Sequence, residues 1–503
     1  MGFTRRRFLH TGIGVSAALL AAACAGTGDP SSGPQRGGTL RVGALGAAAR
    51  REVDPHANLA NDSDFLAASL LYDALTVPGA NPTVAPRLAT AWEADAAQRR
   101  WSFTLAPGAA FHSGAPVTAE DVVWSMRRLR AVGGASKMPV PEAGIAADGA
   151  NRVVFTLDEP NTQLPLLLRL MTFTVPAGTT DFTASVGSGP FRLDSAGGDT
   201  TRLVRNERWH GGAPPLDAIE ITAFGSADAL SNAVLGGQLD LASNVGAIAG
   251  RAAAARGDLR VIRRADDTMV GLAMRTADGP FADPRVRAAV RLGVDRQRLV
   301  DQVYSGFGRT AADVLGTADP LYDTALSRAR DVDRARTLLR EANFDTGRTH
   351  ALVTKAEVAG EVESARVLAT QLGEIGLRLE VQVAESGAFY DRTWLTAPLY
   401  TVSWGTNDSV LFLAAKLMTS GSNRNETAFR DPEFDAATAR ALAATDETAL
   451  AAACREVQRI QFERGGYLVW GMADGVDVAR TGVSGLPTLG GFGRVQLERA
   501  WLA

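Results

Sequence analysis

Apolar and polar positions alternate with a period of two in some stretches and three to four in others, and the two periods take turns along the chain. Thr39 to Gly43 (TLRVG) alternates and predicts a strand, whereas Phe65, Leu66, Leu70, Leu71 and Leu75 recur at helical spacing between Asp64 and Leu75. Strands are predicted again at Trp101 to Leu105 and Val153 to Leu157, with a helix start between them at Thr118-Ala119-Glu120-Asp121. There a hydroxyl sits at the N-cap and a carboxylate at N3, followed by the buried stripe Val122, Met126 and Leu129. Further strands are predicted at Gly189 to Leu193, Thr201 to Arg205 and Ala218 to Phe224, and a helix at Ala227 to Leu235 stops at Gly236-Gly237. Asp283-Pro284 opens another helix and Asp295 restarts it. Val332 to Ala342 and Glu361 to Ile375 are amphipathic, and the second leads into the alternating Leu377 to Val383. Ala436 to Arg464 reads as helix with a break near Asp446, before strand character returns at Tyr467 to Trp470 ahead of a Gly-rich tail. Strands interleaved with helices, without a sequence repeat, predict an α/β fold with sheets in more than one domain. At 503 residues, about three domains are expected.

The N-terminus follows a different pattern. Arg5, Arg6 and Arg7 precede an apolar stretch from Ile13 to Ala23 that is too short to span a bilayer, the layout of a signal peptide. Thr4 to Leu9 (TRRRFL) resembles the twin-arginine export motif, and Leu20-Ala21-Ala22-Ala23-Cys24 resembles a bacterial lipobox, with Ala21 where such boxes usually carry Leu. Cys24 is then the expected lipidation site, and the Gly-, Ser- and Pro-rich stretch up to residue 36 a tether. The other reading of Cys24 is an ordinary signal-peptide residue removed with the rest. Lys plus Arg number 52 against 55 Asp plus Glu, a net charge of −3 that argues against a broad nucleic-acid-binding surface. Three lysines, Lys137, Lys355 and Lys416, stand among many arginines, a bias attributable to GC-rich coding.

Phe111 to Ser125 (FHSGAPVTAEDVVWS) resembles the most diagnostic stretch of the family 5 extracytoplasmic solute-binding proteins, the oligopeptide, dipeptide and nickel receptors of ABC importers. Segments similar to that family follow its order: GGTLRVG from Gly37, LYDALTV from Leu71, PRLATAWE from Pro86, GSGPFRL from Gly187, LVRNERW from Leu203 and FADPRVRAAVRLGVDRQRLV from Phe281. The resemblance implies a two-lobed, periplasmic-binding-protein type II-like α/β fold with an extra domain and a ligand cleft between the lobes. Domain I would comprise 37–77, 186–270 and 468–503, domain II 78–185 and domain III 271–467, with a hinge at crossover strands near Gly271 and Tyr467. It further implies a receptor rather than an enzyme. The protein would be extracytoplasmic, held to the outer face of the cell membrane only by its lipid, monomeric, and would deliver a peptide or peptide-like small molecule to ABC permease subunits. A secreted hydrolase using cleft carboxylates, or a ligand sensor with the same fold, are the alternatives.

In peptide-binding relatives, a segment after a Trp in domain III pairs with the peptide backbone, and an Asp beyond it takes the α-ammonium. The matching stretch is Tyr400 to Ser409 (YTVSWGTNDS), which makes Trp404, Gly405, Asn407 and Asp408 candidate ligand contacts. Asn407 occupies the position of the family's Asp, with Asp408 beside it; the loop is about two residues short and lacks the usual acidic-Pro element. Trp404 is a stacking floor or a core residue, and Asp408 an ammonium partner or a turn residue. Asn61 and Asp62 fall after the first strand, where family loops face the cleft or serve only as loop. His56, His112, His210 and His350 lie far apart without metal-ligand spacing, so no metal site and no cofactor are expected. Cys454 sits among alanines on a helix as a small hydrophobe.

Overall fold

Two long strands, Leu259–Met274 and Tyr467–Arg480, run antiparallel through the middle of an eleven-stranded sheet. The computed structural model describes residues 33–46, 53–57, 59, 61–79, 83–133, 138–169, 172–356, 358–385, 388–405, 409–491 and 495–503, of which Pro34–Ala503 form one compact unit. The signal segment and Cys24 lie outside the described residues, as do Asn407 and Asp408.

Beyond Leu259–Met274 the sheet continues through Leu399–Gly405, Thr349–Thr354 and Arg378–Val383. Beyond Tyr467–Arg480 it continues through Leu241–Ala242, Thr39–Leu45, Ala218–Phe224, Thr200–Arg205 and Phe191–Gly197. Each half is covered on both faces. Leu40, Phe65, Leu71 and Ile219 pack with Val495, Leu497 and Ala500 in one core, and Leu230, Val234 and Val478 lie in the core opposite. In the other half, Val290, Leu299, Leu368 and Trp470 face Phe412, Phe434, Val457 and Tyr467 across the sheet. A third body has its own core, in which Val122, Met126 and Leu129 pack on Trp101, Phe103 and Phe155 of a separate four-stranded sheet.

Helix starts follow the sequence closely. Asp283, Asp295 and Asp446 each accept a backbone N–H as N-cap, and the last splits the predicted helix at 436–464 into Pro432–Ala443 and Glu447–Arg464. At Ala119–Gly133 the capping differs from the expectation. Asp121 accepts from both the N–H and the hydroxyl of Thr118, so only the carboxylate half of the box forms. The helix Asp62–Leu71 also ends earlier than predicted, at an extended Tyr72.

The strand Leu259–Met274 is hidden in the pattern because Arg263, Arg264, Asp266 and Asp267 interrupt its alternation. Those residues mark the place where the strand crosses between lobes. Its pairing shifts register between Arg264 and Thr268, where Asp266 takes a φ of 53°, and again between Val270 and Gly271. At Gly271 a Cβ would lie 2.4 Å from the backbone oxygen of Leu468 on the neighbouring crossover strand. Gly271→Ala is therefore expected to part the two strands locally and to cost about 1–3 kcal/mol, read as a lower urea midpoint. An unchanged midpoint would show that the crossover tolerates the wider spacing.

Candidate functional site

The register fixes where an opening between the lobes must lie. Leu399–Gly405 is antiparallel to Leu259–Met274, which is antiparallel to Tyr467–Arg480, so Leu399–Gly405 points from its own lobe toward the other. Thr349–Thr354 and Arg378–Val383 run parallel to it. Across the crossover, Leu241–Ala242 is antiparallel to Tyr467–Arg480 and parallel to Thr39–Leu45 and Ala218–Phe224, so these strands point back. The carboxyl ends of two parallel sets thus face one another, and in open α/β sheets that is where ligands bind.

Three of these carboxyl ends on one lobe supply a single cluster. Lys355 follows Thr349–Thr354, Phe389 and Tyr390 belong to the short helix Ala388–Arg392 after Arg378–Val383, and Trp404 and Gly405 end Leu399–Gly405. At its centre is Glu426, 3% exposed. Its Oε1 accepts from Trp394 Nε1 at 2.6 Å, and its Oε2 accepts from Trp404 Nε1 at 3.0 Å and Tyr467 Oη at 2.8 Å. Burial raises the Glu426 carboxyl above its ordinary value, although the three donors and nearby Lys355 draw it back. Lys355 is buried and bonded to both oxygens of Glu361, at 2.8 and 2.9 Å, with its ammonium 4.5 Å from the Phe389 ring centroid. Burial lowers the Lys355 ammonium, but Glu361, helped by Tyr390 and Glu426, more than offsets this and holds it above its ordinary value. Lys416 lies 5.6 Å from the Trp404 ring and 4.8 Å from that of Phe412. The half-buried Trp404 therefore presents an indole fixed on one edge by a carboxylate and approached by a cation.

On the facing lobe, Asn61 caps Asp62–Leu71: its Oδ1 accepts from the Asp64 N–H at 2.9 Å and from Ser63 Oγ at 2.8 Å, and its Nδ2 donates to Asp64. All its polar atoms are engaged in starting the helix. Asp62 instead lines a small cavity with Ser243, Asp477, Leu66 and Leu497.

Between the two sets lies a buried ion cluster. Arg264 donates to Asp267 Oδ1 at 3.0 Å and to Asp477 Oδ2. Burial alone would lower the Arg264 guanidinium, and the two carboxylates reverse this, so it is held charged. Asp477 also accepts from the Asn244 N–H at 2.7 Å and Asp267 from the Gly491 N–H at 2.8 Å, while neighbouring Thr268 pairs with Gly405. The structure thus brings Asp62 beside Asp477, and Gly405 beside the same cluster. Lys355, Glu426, Trp394, Tyr390 and Asp477 escape the sequence pattern. The one signal for them is lysine scarcity, since two of the three lysines, Lys355 and Lys416, flank this site. Among the described residues no group of three or more His, Cys, Asp or Glu is placed to hold a metal ion, and no helix is long and apolar enough to cross a membrane.

Two lobes joined by a pair of crossover strands, with a polar and aromatic opening between facing strand ends, define a two-lobed binding protein of the periplasmic type II class. The chain belongs to the bacterial extracellular solute-binding proteins of family 5, whose middle-region model matches residues 83–426. The family comprises solute receptors of ABC importers, not enzymes. Among relatives, the di/tripeptide-binding protein 2 of Pseudomonas aeruginosa is 26% identical over 464 residues, covering 82% of this chain and 86% of that protein. The periplasmic binding protein DppA of Helicobacter pylori in complex with the peptide STSA superimposes with a TM-score of 0.82 at 19% identity, over 93% of this chain and 98% of that one. The binding protein AgaA of A. tumefaciens R10 in complex with agropinic acid gives a TM-score of 0.81 at 19% identity, over 93% and 99%.

Proposed function

We propose that this protein is an extracytoplasmic receptor that closes its lobes on a peptide or peptide-like small molecule and presents it to the permease of an ABC importer. The observation that carries the reading is the pair of facing strand ends, one lined by Trp404, Trp394 and Glu426 and the other by Asp62, with the crossover strands as the hinge between them. Lobe closure uses binding energy to shift a conformational equilibrium, and the closed shape is what a permease would read. The di/tripeptide-binding relative and the peptide complex of DppA support a peptide-type ligand, while the agropinic acid complex of AgaA shows that a neighbour in fold takes a different small acid. Asn407 and Asp408, which follow Gly405 and Thr406 in sequence, are the proposed ligand contacts, with Trp404 as the aromatic wall of the opening and Asp62 opposite. Native mass spectrometry of the full chain purified from bacteria, with identification of what it carries, tests the reading. Peptides or peptide-like molecules are expected, and turnover of any bound molecule would overturn it.

Anchoring belongs to the same proposal. Lipidation at Cys24 would hold the receptor at the outer face of the membrane as a monomer. Cys24→Ala is expected to shift the protein from the membrane fraction to the soluble extracytoplasmic fraction, and membrane retention of the variant would refute the anchor.

A further inference from the structure

One cation in the aromatic cluster, Arg424, has no hydrogen-bonded anion among the described residues. Lys355 is matched by Glu361, and Glu426 is committed to two indoles and a phenol. Arg424, two residues before Glu426, is half-buried with its guanidinium 5.7 Å from the Trp394 ring centroid. Among the described residues its side chain makes no hydrogen bond and no ion pair. Trp394 in turn packs edge-on to Tyr390 at 5.9 Å between ring centroids, and Tyr390 is 45% exposed, unusual for a large aromatic in this chain. An arginine brought out of water loses hydration that only another acceptor can replace, and its planar fork fits a carboxylate with two parallel bonds. Burial already presses the Arg424 guanidinium below its ordinary value, and Glu426 and Tyr390 only partly restore it. The guanidinium fork beside an exposed tyrosine and an indole, at the carboxyl end of the sheet, has the geometry to take a planar anion.

We propose that Arg424 is the specificity-determining anchor for a carboxylate of the ligand, seated against Trp394 and Tyr390. This rests on the receptor reading above and narrows it: the captured molecule is a carboxylic acid, and its acidic end lies on the Trp394 side of the opening. Neutral molecules and esters of the same shape leave Arg424 half-buried and unpaired, which makes the site select against them.

The test is a binding titration of the full chain with a pool of di- to tetrapeptides carrying free C-termini, against the same pool amidated. Wild type is expected to prefer the free acids by roughly 30-fold or more. Arg424→Gln should abolish that preference and Arg424→Lys should keep part of it. Because the Arg424 side chain makes no hydrogen bond or ion pair among the described residues, the urea midpoint of Arg424→Gln should match wild type, so lost binding is separated from lost folding. Equal binding of both pools by wild type, or a preference that survives in Arg424→Gln, overturns the assignment. Binding of neither pool overturns the peptide reading instead. Arg424 is then judged on a panel of non-peptide hydroxy acids and imino diacids against their methyl esters, and the assignment stands only if an acid binds, its ester does not, and Arg424→Gln loses the acid.

Discussion

Arg264→Met is expected to destabilise the protein by about 3–5 kcal/mol, the largest effect of any single change at the crossover. The arginine is completely buried and holds Asp267 and Asp477, themselves almost without solvent contact. Removing it leaves two carboxylates facing each other in a poorly solvated place, each also fixed by a backbone N–H from a different segment, at Asn244 and Gly491. The buried pair itself need not stabilise the fold relative to apolar residues; the cost arises from breaking it halfway. The triple replacement of Arg264, Asp267 and Asp477 by apolar residues should therefore recover much of the loss. Urea unfolding followed by tryptophan fluorescence would read both variants, and a single mutant as stable as wild type would mean that water already reaches the cluster.

The second large effect is expected at Glu426. Glu426→Leu strands Trp394 Nε1, Trp404 Nε1 and Tyr467 Oη without their acceptor. A buried donor left unpaired costs about 1–3 kcal/mol, and since the two indoles are only partly buried the total should fall near 2–5 kcal/mol. Ligand binding should weaken at least about tenfold as the indole of Trp404 loses its fixed orientation. A pH signature separates this from simple packing loss. The folded-state carboxyl is raised, so the folded protein holds this proton more tightly than the unfolded chain does. Its ionisation then costs stability as pH rises through the ordinary glutamate value of about 4.3 toward the folded value. Urea midpoints taken from about pH 4 to about pH 7 should show a downward contribution in wild type that is missing in Glu426→Gln. An identical slope in the two proteins would mean that Glu426 is not the group titrating.

Regular elements whose burial repeats with a simple period were legible in the chain. Ala218–Phe224 and Ala227–Leu235 fall where the pattern puts them, and the aspartates 283, 295 and 446 announce helix starts because capping is a local bond between neighbours in sequence. The α/β class follows from the same alternation. The crossover strand at Leu259–Met274 was not legible in its pattern, because its middle carries four charges whose partners include Asp474 and Asp477, more than 200 positions away, and Arg309, 43 positions away. The wall of the opening escaped for a related reason. Glu426, Trp394, Trp404 and Tyr467 are ordinary residues in four separate segments, and their convergence exists only after three parallel strands have aligned their ends. Trp404 and Gly405 became candidates only through a family resemblance, not through any pattern in the chain. Asn61 drew attention by its place after the first strand, and its side chain is spent on the cap of the following helix.

The lobe that opens with Thr39–Leu45 takes part of its core from Val495, Leu497 and Ala500, and Arg87 reaches Glu498 across 411 positions of sequence. Such a body has high contact order, and its core cannot close while the polypeptide is still being made. By contrast, the strands Thr349–Thr354, Arg378–Val383 and Leu399–Gly405, with the helices between them, come from one continuous stretch and can organise early. Assembly should therefore run from the centre of the chain outward, with the two ends joining last, so that loss of even the final ten residues would leave the first lobe open and expose the nascent protein to proteolysis.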